Sequence, residues 1–127
     1  MNNLDASSHS HPRPSGGWEL WAWLFMRLSG LALLVLALGH LVIMHLTHNV
    51  DKIDFFFVAG RYRLWVWRLY DLALLLLALL HGMNGLRTIA EDYLKGAARL
   101  WARGLIAFLL VVLGGLGSWV IVAFKVP

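Results

Sequence analysis

Three long apolar stretches, separated by short polar segments, account for most of this chain. They cover about 20–46, 64–91 and 100–124. Each is long enough to cross a bilayer, because the hydrocarbon core is roughly 30 Å thick and takes about 20 helical residues to span. Tryptophans and arginines gather near the ends of the stretches, as they do where a membrane meets water. The pattern predicts an all-α membrane protein with three transmembrane helices.

The rest of the chain gives its organisation and a weak signal for its orientation. Residues 1–17 mix Asn, Ser, His, Pro and Gly without periodicity, so we expect a flexible N-terminal tail. Residues 18–127 then form a single three-helix transmembrane unit. The 11 Lys and Arg residues divide six to five between the two sides of the membrane, which only slightly favours a cytoplasmic N-terminus.

The composition agrees with a membrane location and excludes several kinds of chemistry. Of the 127 residues, 60% are hydrophobic, above the roughly 45–50% of soluble proteins. There is no cysteine, which excludes a thiolate-held iron–sulfur cluster, a thioether-linked haem and a disulfide. The net charge of +4 comes mostly from the helix ends, and it indicates attraction to anionic lipid headgroups rather than to nucleic acid.

Polar side chains inside the second apolar stretch require an explanation, because they are costly in lipid. Four of them recur at spacings of three and four, which places them on one helix face: His81, Asn84, Thr88 and Asp92. Gly82 and Gly85 beside this face would let a planar group approach closely, and Arg87 near the boundary could balance haem propionates. His81 is therefore a candidate haem ligand. The alternative is a structural histidine that hydrogen-bonds to another helix.

The first stretch offers a second candidate ligand, His40. It lies eleven residues after Ser29, close to three full helical turns, so the two share a face. We take Arg27 and Asp92 as the expected membrane-boundary residues of the two helices. His40 then lies 13 residues inside its boundary and His81 lies 11 residues inside its own. At the rise of a helix, the two histidines differ in depth by only about 3 Å. One haem between them is therefore possible, although a haem shared with a second chain would be better enclosed.

Two local contacts are also predicted from spacing alone. Arg68 and Asp71 lie three residues apart near the start of the second helix and could form an ion pair. Gly114 and Ser118, one turn apart in the third helix, form a small-residue pattern that favours close helix packing.

Taken together, these motifs resemble the smaller hydrophobic anchor subunit of succinate dehydrogenase (respiratory complex II), its membrane cytochrome b component. The strongest motif is a histidine followed eleven and twelve residues later by an acidic residue and a tyrosine: His81, Asp92 and Tyr93. A second motif is the Arg-Leu-Ser-Gly sequence at 27–30, ahead of a helix-one histidine. The segment 53–59 is similar to the actinobacterial type of this subunit. The resemblance covers about residues 18–124.

The resemblance implies one half of a heterodimeric anchor bundle within a larger enzyme. In that family a flavoprotein oxidises succinate, an iron–sulfur subunit carries the electrons to the membrane, and two anchor chains bind haem b and quinone. The implied partners are thus the flavoprotein, the iron–sulfur subunit, the second, larger anchor and membrane lipid, in a complex that can form a trimer of heterotetramers. The implied location is the inner (cytoplasmic) membrane, with a cytoplasmic N-terminus.

The resemblance also implies roles for single residues. His81 matches the axial haem ligand, whose second ligand normally comes from the partner anchor. Tyr93 matches the tyrosine that hydrogen-bonds a quinone carbonyl, with menaquinone and ubiquinone both open, and Asp92 matches its acidic neighbour.

Residues of helix one have less specific counterparts. Arg27 and Ser29 match a motif that lines the quinone and propionate region. In two-haem members, a helix-one histidine such as His40 ligates a second, distal haem, so the number of haems stays open.

Two alternatives remain at this point. The anchor of a quinol:fumarate reductase has the same architecture and runs the reaction in the opposite direction. A non-redox membrane assembly or packing subunit would use its histidines only to join helices.

Overall fold

The computed structural model describes residues 17–47 and 50–125, and these residues form a bundle of helices without a strand. Helix α1 covers Trp18–Leu41 and continues as a π-helical turn, Val42–Leu46; a short 3-10 turn follows at Val50–Lys52. The further helices are α2 at Phe55–Tyr62, α3 at Trp65–Tyr93 and α4 at Gly96–Ala123. Three are long and apolar enough to cross a membrane: Leu20–Leu46, Trp65–Tyr93 and Gly96–Ala123. The predicted fold class is confirmed. The expected tail, apart from Gly17, lies outside the described residues.

Local signals explain where the helices begin and turn. Asp54 caps α2, because its carboxylate accepts a hydrogen bond of 2.8 Å from the backbone N–H of Phe57. Only Leu94 and Lys95 separate α3 from α4, and both are extended. Gly96 follows with a φ of 57°, a conformation that glycine adopts without strain. This short connection makes α3 and α4 antiparallel neighbours.

Helix α3 lies at the centre of the bundle and packs against both α1 and α4, more extensively against α4. Among the glycines of α4, Gly117 has the least space: an added Cβ would lie 2.6 Å from a methyl carbon of Leu75. A Cβ added to Gly114 would lie 3.7 Å from Leu79, an ordinary contact distance. The predicted small-residue position Gly114 therefore does face α3, and Gly117, which was not predicted, has less space.

The predicted ion pair between Arg68 and Asp71 is wrong. Arg68 instead donates to backbone carbonyls where α4 ends and where α2 ends, at Ile121, Val122, Phe124 and Tyr62, over 2.7 to 3.3 Å. The last carbonyls of a helix lack intrahelical donors and carry partial negative charge, so a guanidinium satisfies them well. The end of α4 lies beside the start of α3, and this tertiary contact outweighs the local spacing.

Candidate functional site

His81 is fixed at the α1–α3 interface by a single short hydrogen bond. Its Nδ1 lies 2.9 Å from Oγ of Ser29, whose residue is only 3% exposed. The Ser29 hydroxyl also donates to the carbonyl of Met26 at 3.3 Å. When the Ser29 hydroxyl donates to this carbonyl, it can only accept from the imidazole, and the ring proton is then on Nδ1. In that tautomer Nε2 of His81 keeps a free lone pair, the state that a metal ligand requires.

The surroundings of His81 are open on one side and tight on the other. On the α1 side, a Cβ added to Gly30 would lie 3.3 Å from Cε1 of His81, so the ring lies against the α1 backbone. On α3 itself, Cβ atoms added to Gly82 or Gly85 would meet nothing within 4 Å. A haem needs a nitrogen ligand and open space beside it. His81 offers the nitrogen and the surface at Gly82 and Gly85 offers the space, so these residues fit a haem.

Neither predicted arginine lies beside this histidine. The Arg27 guanidinium lies over the ring of Trp23, 4.1 Å from its centroid, and the residue is exposed. Arg87 lines cavities between α1, α3 and α4. It follows Gly82 by five residues, which turns it about 140° around the helix. The structure thus brings Ser29 to His81, but not Arg27 or Arg87.

Asp92 and Tyr93 lie at the end of α3, about 16–18 Å from His81 along the helix axis. Both residues are exposed, and Tyr93 retains 82% of its accessible surface. Among the described cavities, none is lined by either residue.

His40 belongs to a different region of the α1–α3 interface. Its Nδ1 lies 3.8 Å from Oδ1 of Asp71, and its ring is stacked on Tyr70 with 6.5 Å between centroids. Asp71 precedes His81 by ten residues on α3, so the two histidines are about 15 Å apart in depth. The expected offset of about 3 Å is wrong, and the two side chains cannot ligate one iron within this chain.

The error in depth comes from the choice of boundary residue. Helix α1 begins at Trp18, nine residues before Arg27. Ser29 and His81 face each other, so with antiparallel helices Trp18 lies at the level of Asp92. Arg27 is therefore inside the span, and its long side chain covers Trp23 rather than marking the membrane surface.

Sequence reasoning missed the polar cluster around Asp71. The Arg61 guanidinium, with its side chain 9% exposed, lies 3.5 Å from the Asp71 carboxylate, whose side chain is 16% exposed. The same guanidinium donates to Sδ of Met44 at 3.0 Å and lies over the ring of Trp67. Asp71 also helps to raise the pKa of Tyr62, after the larger effect of burial. An acidic residue inside an apolar helix was the available signal, but the local spacing pointed to Arg68, and Arg61 becomes its partner only through the tertiary fold.

Sequence reasoning also missed two adjoining cavities on the other side of α3. The larger, of about 670 Å³, is mostly apolar and lies between α1, α3 and α4; it is lined by Trp18, Trp21, Ala22, Phe25, Leu80, Met83, Asn84, Arg87, Arg103, Ile106, Ala107 and Leu110. The smaller, of about 450 Å³, is polar and is lined by Trp18, Ala22, Arg87, Glu91, Arg99 and Arg103. The tryptophans and arginines that indicated a membrane boundary thus also line cavities.

Among residues 17–47 and 50–125, no three His, Asp or Glu side chains come together in a way that could hold a metal ion.

Comparison with known proteins agrees with this arrangement of helices. A family model described as the succinate dehydrogenase/fumarate reductase transmembrane subunit matches residues 11–121. No curated protein matches the chain significantly.

Proposed function

The chain belongs to the succinate dehydrogenase/fumarate reductase transmembrane subunit family, and from this membership we propose that it anchors a succinate:quinone oxidoreductase. In this proposal His81 ligates haem b at the interface with a second, larger anchor chain. The end of α3 forms part of the quinone-reduction site. The iron–sulfur and flavoprotein subunits bind on the same side and deliver electrons from succinate.

The observation that carries the proposal is the hydrogen bond between Ser29 and His81. Histidines that ligate metals almost always donate their other ring N–H to a fixed acceptor, which sets the tautomer and the ring orientation. Ser29 supplies that acceptor at 2.9 Å and is itself buried. A histidine that only joined two helices would not need open space beside it, yet Gly82 and Gly85 leave the flank of α3 free.

A second protein ligand to the haem would have to come from outside this chain. His40 is about 15 Å from His81 along the helix axis, much farther than two ligands of one iron can be. The open flank of α3 faces away from the described helices, so a partner anchor can approach there. When bound, haem b supplies a one-electron carrier inside the membrane. His81 and Ser29 hold and orient it.

Quinone reduction requires two electrons and two protons, so its site needs hydrogen-bond donors and access to water. Tyr93 can donate its phenol proton to a quinone carbonyl, whether the quinone is menaquinone or ubiquinone. Asp92 and Glu91 can pass protons from the aqueous boundary. The high exposure of Tyr93 in this chain fits a site that the iron–sulfur subunit completes.

A reduced-minus-oxidised optical spectrum of the detergent-purified complex tests the haem proposal. His81→Ala should abolish the α-band of b-type haem in a complex that still assembles. The exposed His45, in the π-helical turn, provides the matched control, and His45→Ala should keep the band. An unchanged band in assembled His81→Ala would remove His81 from the haem site.

A quinol:fumarate reductase anchor is the second candidate, because the family includes both enzymes. The ratio of succinate oxidation to fumarate reduction by the purified complex, with a quinone of matched potential, separates the two. A non-redox packing subunit would show neither activity, no haem band and no flavoprotein in the purified material.

A further inference from the structure

We propose that the two adjoining cavities between α1, α3 and α4 form one binding site for an anionic phospholipid of the bilayer. We call this site the arginine groove; it is made of the residues that line the 670 Å³ and 450 Å³ cavities. The two cavities share Trp18, Ala22, Arg87 and Arg103, so the polar part opens directly onto the apolar part. This division matches an amphiphile with a charged head and hydrocarbon chains.

Among the side chains that the structure describes, the polar end of the arginine groove carries more positive than negative charge. It is lined by three arginines, Arg87, Arg99 and Arg103, and by one carboxylate, that of Glu91. Arg103 lies 3.4 Å from Glu91, and Arg99 donates to the carbonyl of Leu94, so the described lining has an excess of two positive charges (three minus one). Phosphate oxygens are strong acceptors for guanidinium groups, so an anionic headgroup would balance this excess.

Two further details indicate an anion at this position. The Nε of Arg87 is buried, and no described residue accepts a hydrogen bond from it. The N-terminus of α4 lacks a side-chain cap, so the first backbone N–H groups of that helix also favour negative charge near Arg99. An unpaired buried donor is costly, and a phosphate oxygen in the groove would satisfy it.

The charges favour a phospholipid over a quinone as the occupant. A quinone is neutral and needs hydrogen-bond donors, but it does not need an excess of cations. The arginines lie beside Trp18, at the end of α1, and close to the α3–α4 connection. That depth is the headgroup region of a membrane, where tryptophan is enriched. The apolar cavity extends from there along Phe25, Leu80 and Leu110 towards the bilayer core, in the direction of acyl chains.

Lipid analysis of the purified complex tests this proposal. Wild-type complex, washed in detergent, should retain anionic phospholipid in a fixed ratio to this chain. The double variant Arg87→Gln with Arg103→Gln should weaken binding of phosphatidylglycerol, measured by native mass spectrometry during titration, by about fivefold for each arginine removed. Arg63→Gln is the matched control, because Arg63 is exposed and lies outside the groove. It should bind phosphatidylglycerol as wild type does.

A second variant protects the test against a failure of the double variant to assemble. Ala107→Phe adds bulk to the apolar cavity without changing any charge, and it should also release the retained phospholipid. Retention of phospholipid at the wild-type level in both variants would overturn the proposal. So would loss of quinone with phospholipid unchanged, or a wild-type complex that binds phosphatidylcholine and phosphatidylglycerol equally well. A wild-type complex that retains no anionic phospholipid would overturn it as well.

Discussion

Two polar regions join α1 to α3 within the membrane, and they differ in how each histidine is held. Near the middle of α3, Nδ1 of His81 lies 2.9 Å from the buried, neutral hydroxyl of Ser29. About 15 Å away, His40 lies 3.8 Å from a carboxylate that Arg61 also approaches. The first region is a neutral hydrogen-bonded pair. The second is an ion-pair cluster in which Nδ1 of His40, Nη2 of Arg61 and Oδ1 of Asp71 are buried without a hydrogen bond among the described residues.

The difference indicates how function and stability are divided between these regions. A hydroxyl partner adds no charge, so the haem that we propose at His81 would have no competing ion beside it. In the other region, Asp71 and Arg61 neutralise each other and connect α2 and α3. The π-helical turn brings Met44 to the same guanidinium, so this region also stabilises the end of α1.

The largest expected effect is on stability, from Asp71→Ala. Removal of one partner of a buried ion pair leaves Arg61 uncompensated, which costs about 3 kcal/mol or more. We expect a clearly lower thermal midpoint of the complex in detergent, with the haem band retained. Thr88→Ala, at an exposed hydroxyl of the same helix, serves as control. Equal midpoints for the two variants would show that the cluster contributes little.

Two glycines of α1 allow the regions to be compared by the same substitution. A Cβ at Gly39 would lie 2.8 Å from the Tyr70 hydroxyl, which donates to the carbonyl of Leu36. A Cβ at Gly30 would lie 3.3 Å from His81. Gly39→Ala should cost about 1–3 kcal/mol of stability by overpacking and leave the haem spectrum unchanged. Gly30→Ala should cost less, yet shift the spectrum or the haem potential. The reverse pattern would contradict the division of roles.

Ser29→Ala tests the positioning of His81 with a smaller change. It removes the hydroxyl that lies 2.9 Å from Nδ1, so the imidazole loses the hydrogen bond that orients it. Loss of such a partner typically lowers metal affinity 10- to 100-fold, and we expect about tenfold weaker haem retention, measured by titration into haem-depleted complex. Ser29→Thr keeps the hydroxyl and should recover part of the affinity. If Ser29→Ala retained haem as wild type does, the hydrogen bond would have no positioning role.

The smallest expected effect is at alkaline pH and concerns Tyr62. Burial, followed by the charge of Asp71, raises the pKa of Tyr62 above its usual value of 10.0. A raised pKa favours the protonated phenol in the folded state. This stabilisation is therefore present below pH 10 and is lost as the pH rises through the folded-state pKa. Thermal midpoints between about pH 9 and 11 should fall less steeply in Tyr62→Phe than in wild type. Identical pH profiles would contradict this assignment.

Much of the fold follows from the sequence because the physics of lipid insertion depends on local composition. Apolar stretches longer than a bilayer is thick predict α1, α3 and α4 directly. Helix α2 was not predicted, although Asp54 ahead of an apolar segment is a capping signal. Ser29 and His40 do lie on the same face of α1, as the helical spacing predicts. The spacing alone does not reveal that Ser29 contacts His81 and His40 contacts Asp71, at different levels of α3.

The parts that could not be predicted depend on tertiary register. The depth of His40 was measured from Arg27, and only the contact between Ser29 and His81 reveals that Trp18 marks the helix end. Similarly, Arg68 lies close to Asp71 in sequence but contacts the end of α4 instead. The arginine groove joins residues from three helices, so no single segment of sequence contains its pattern.

We propose that His81 ligates haem at a site separate from His40. The decisive experiment is to measure haem b content per complex, from absolute absorbance, in His81→Ala and His40→Ala preparations. His81→Ala should lose one equivalent of haem, while His40→Ala should retain that same equivalent. Wild-type haem content in His81→Ala, or complete loss of haem in both single variants, would contradict it.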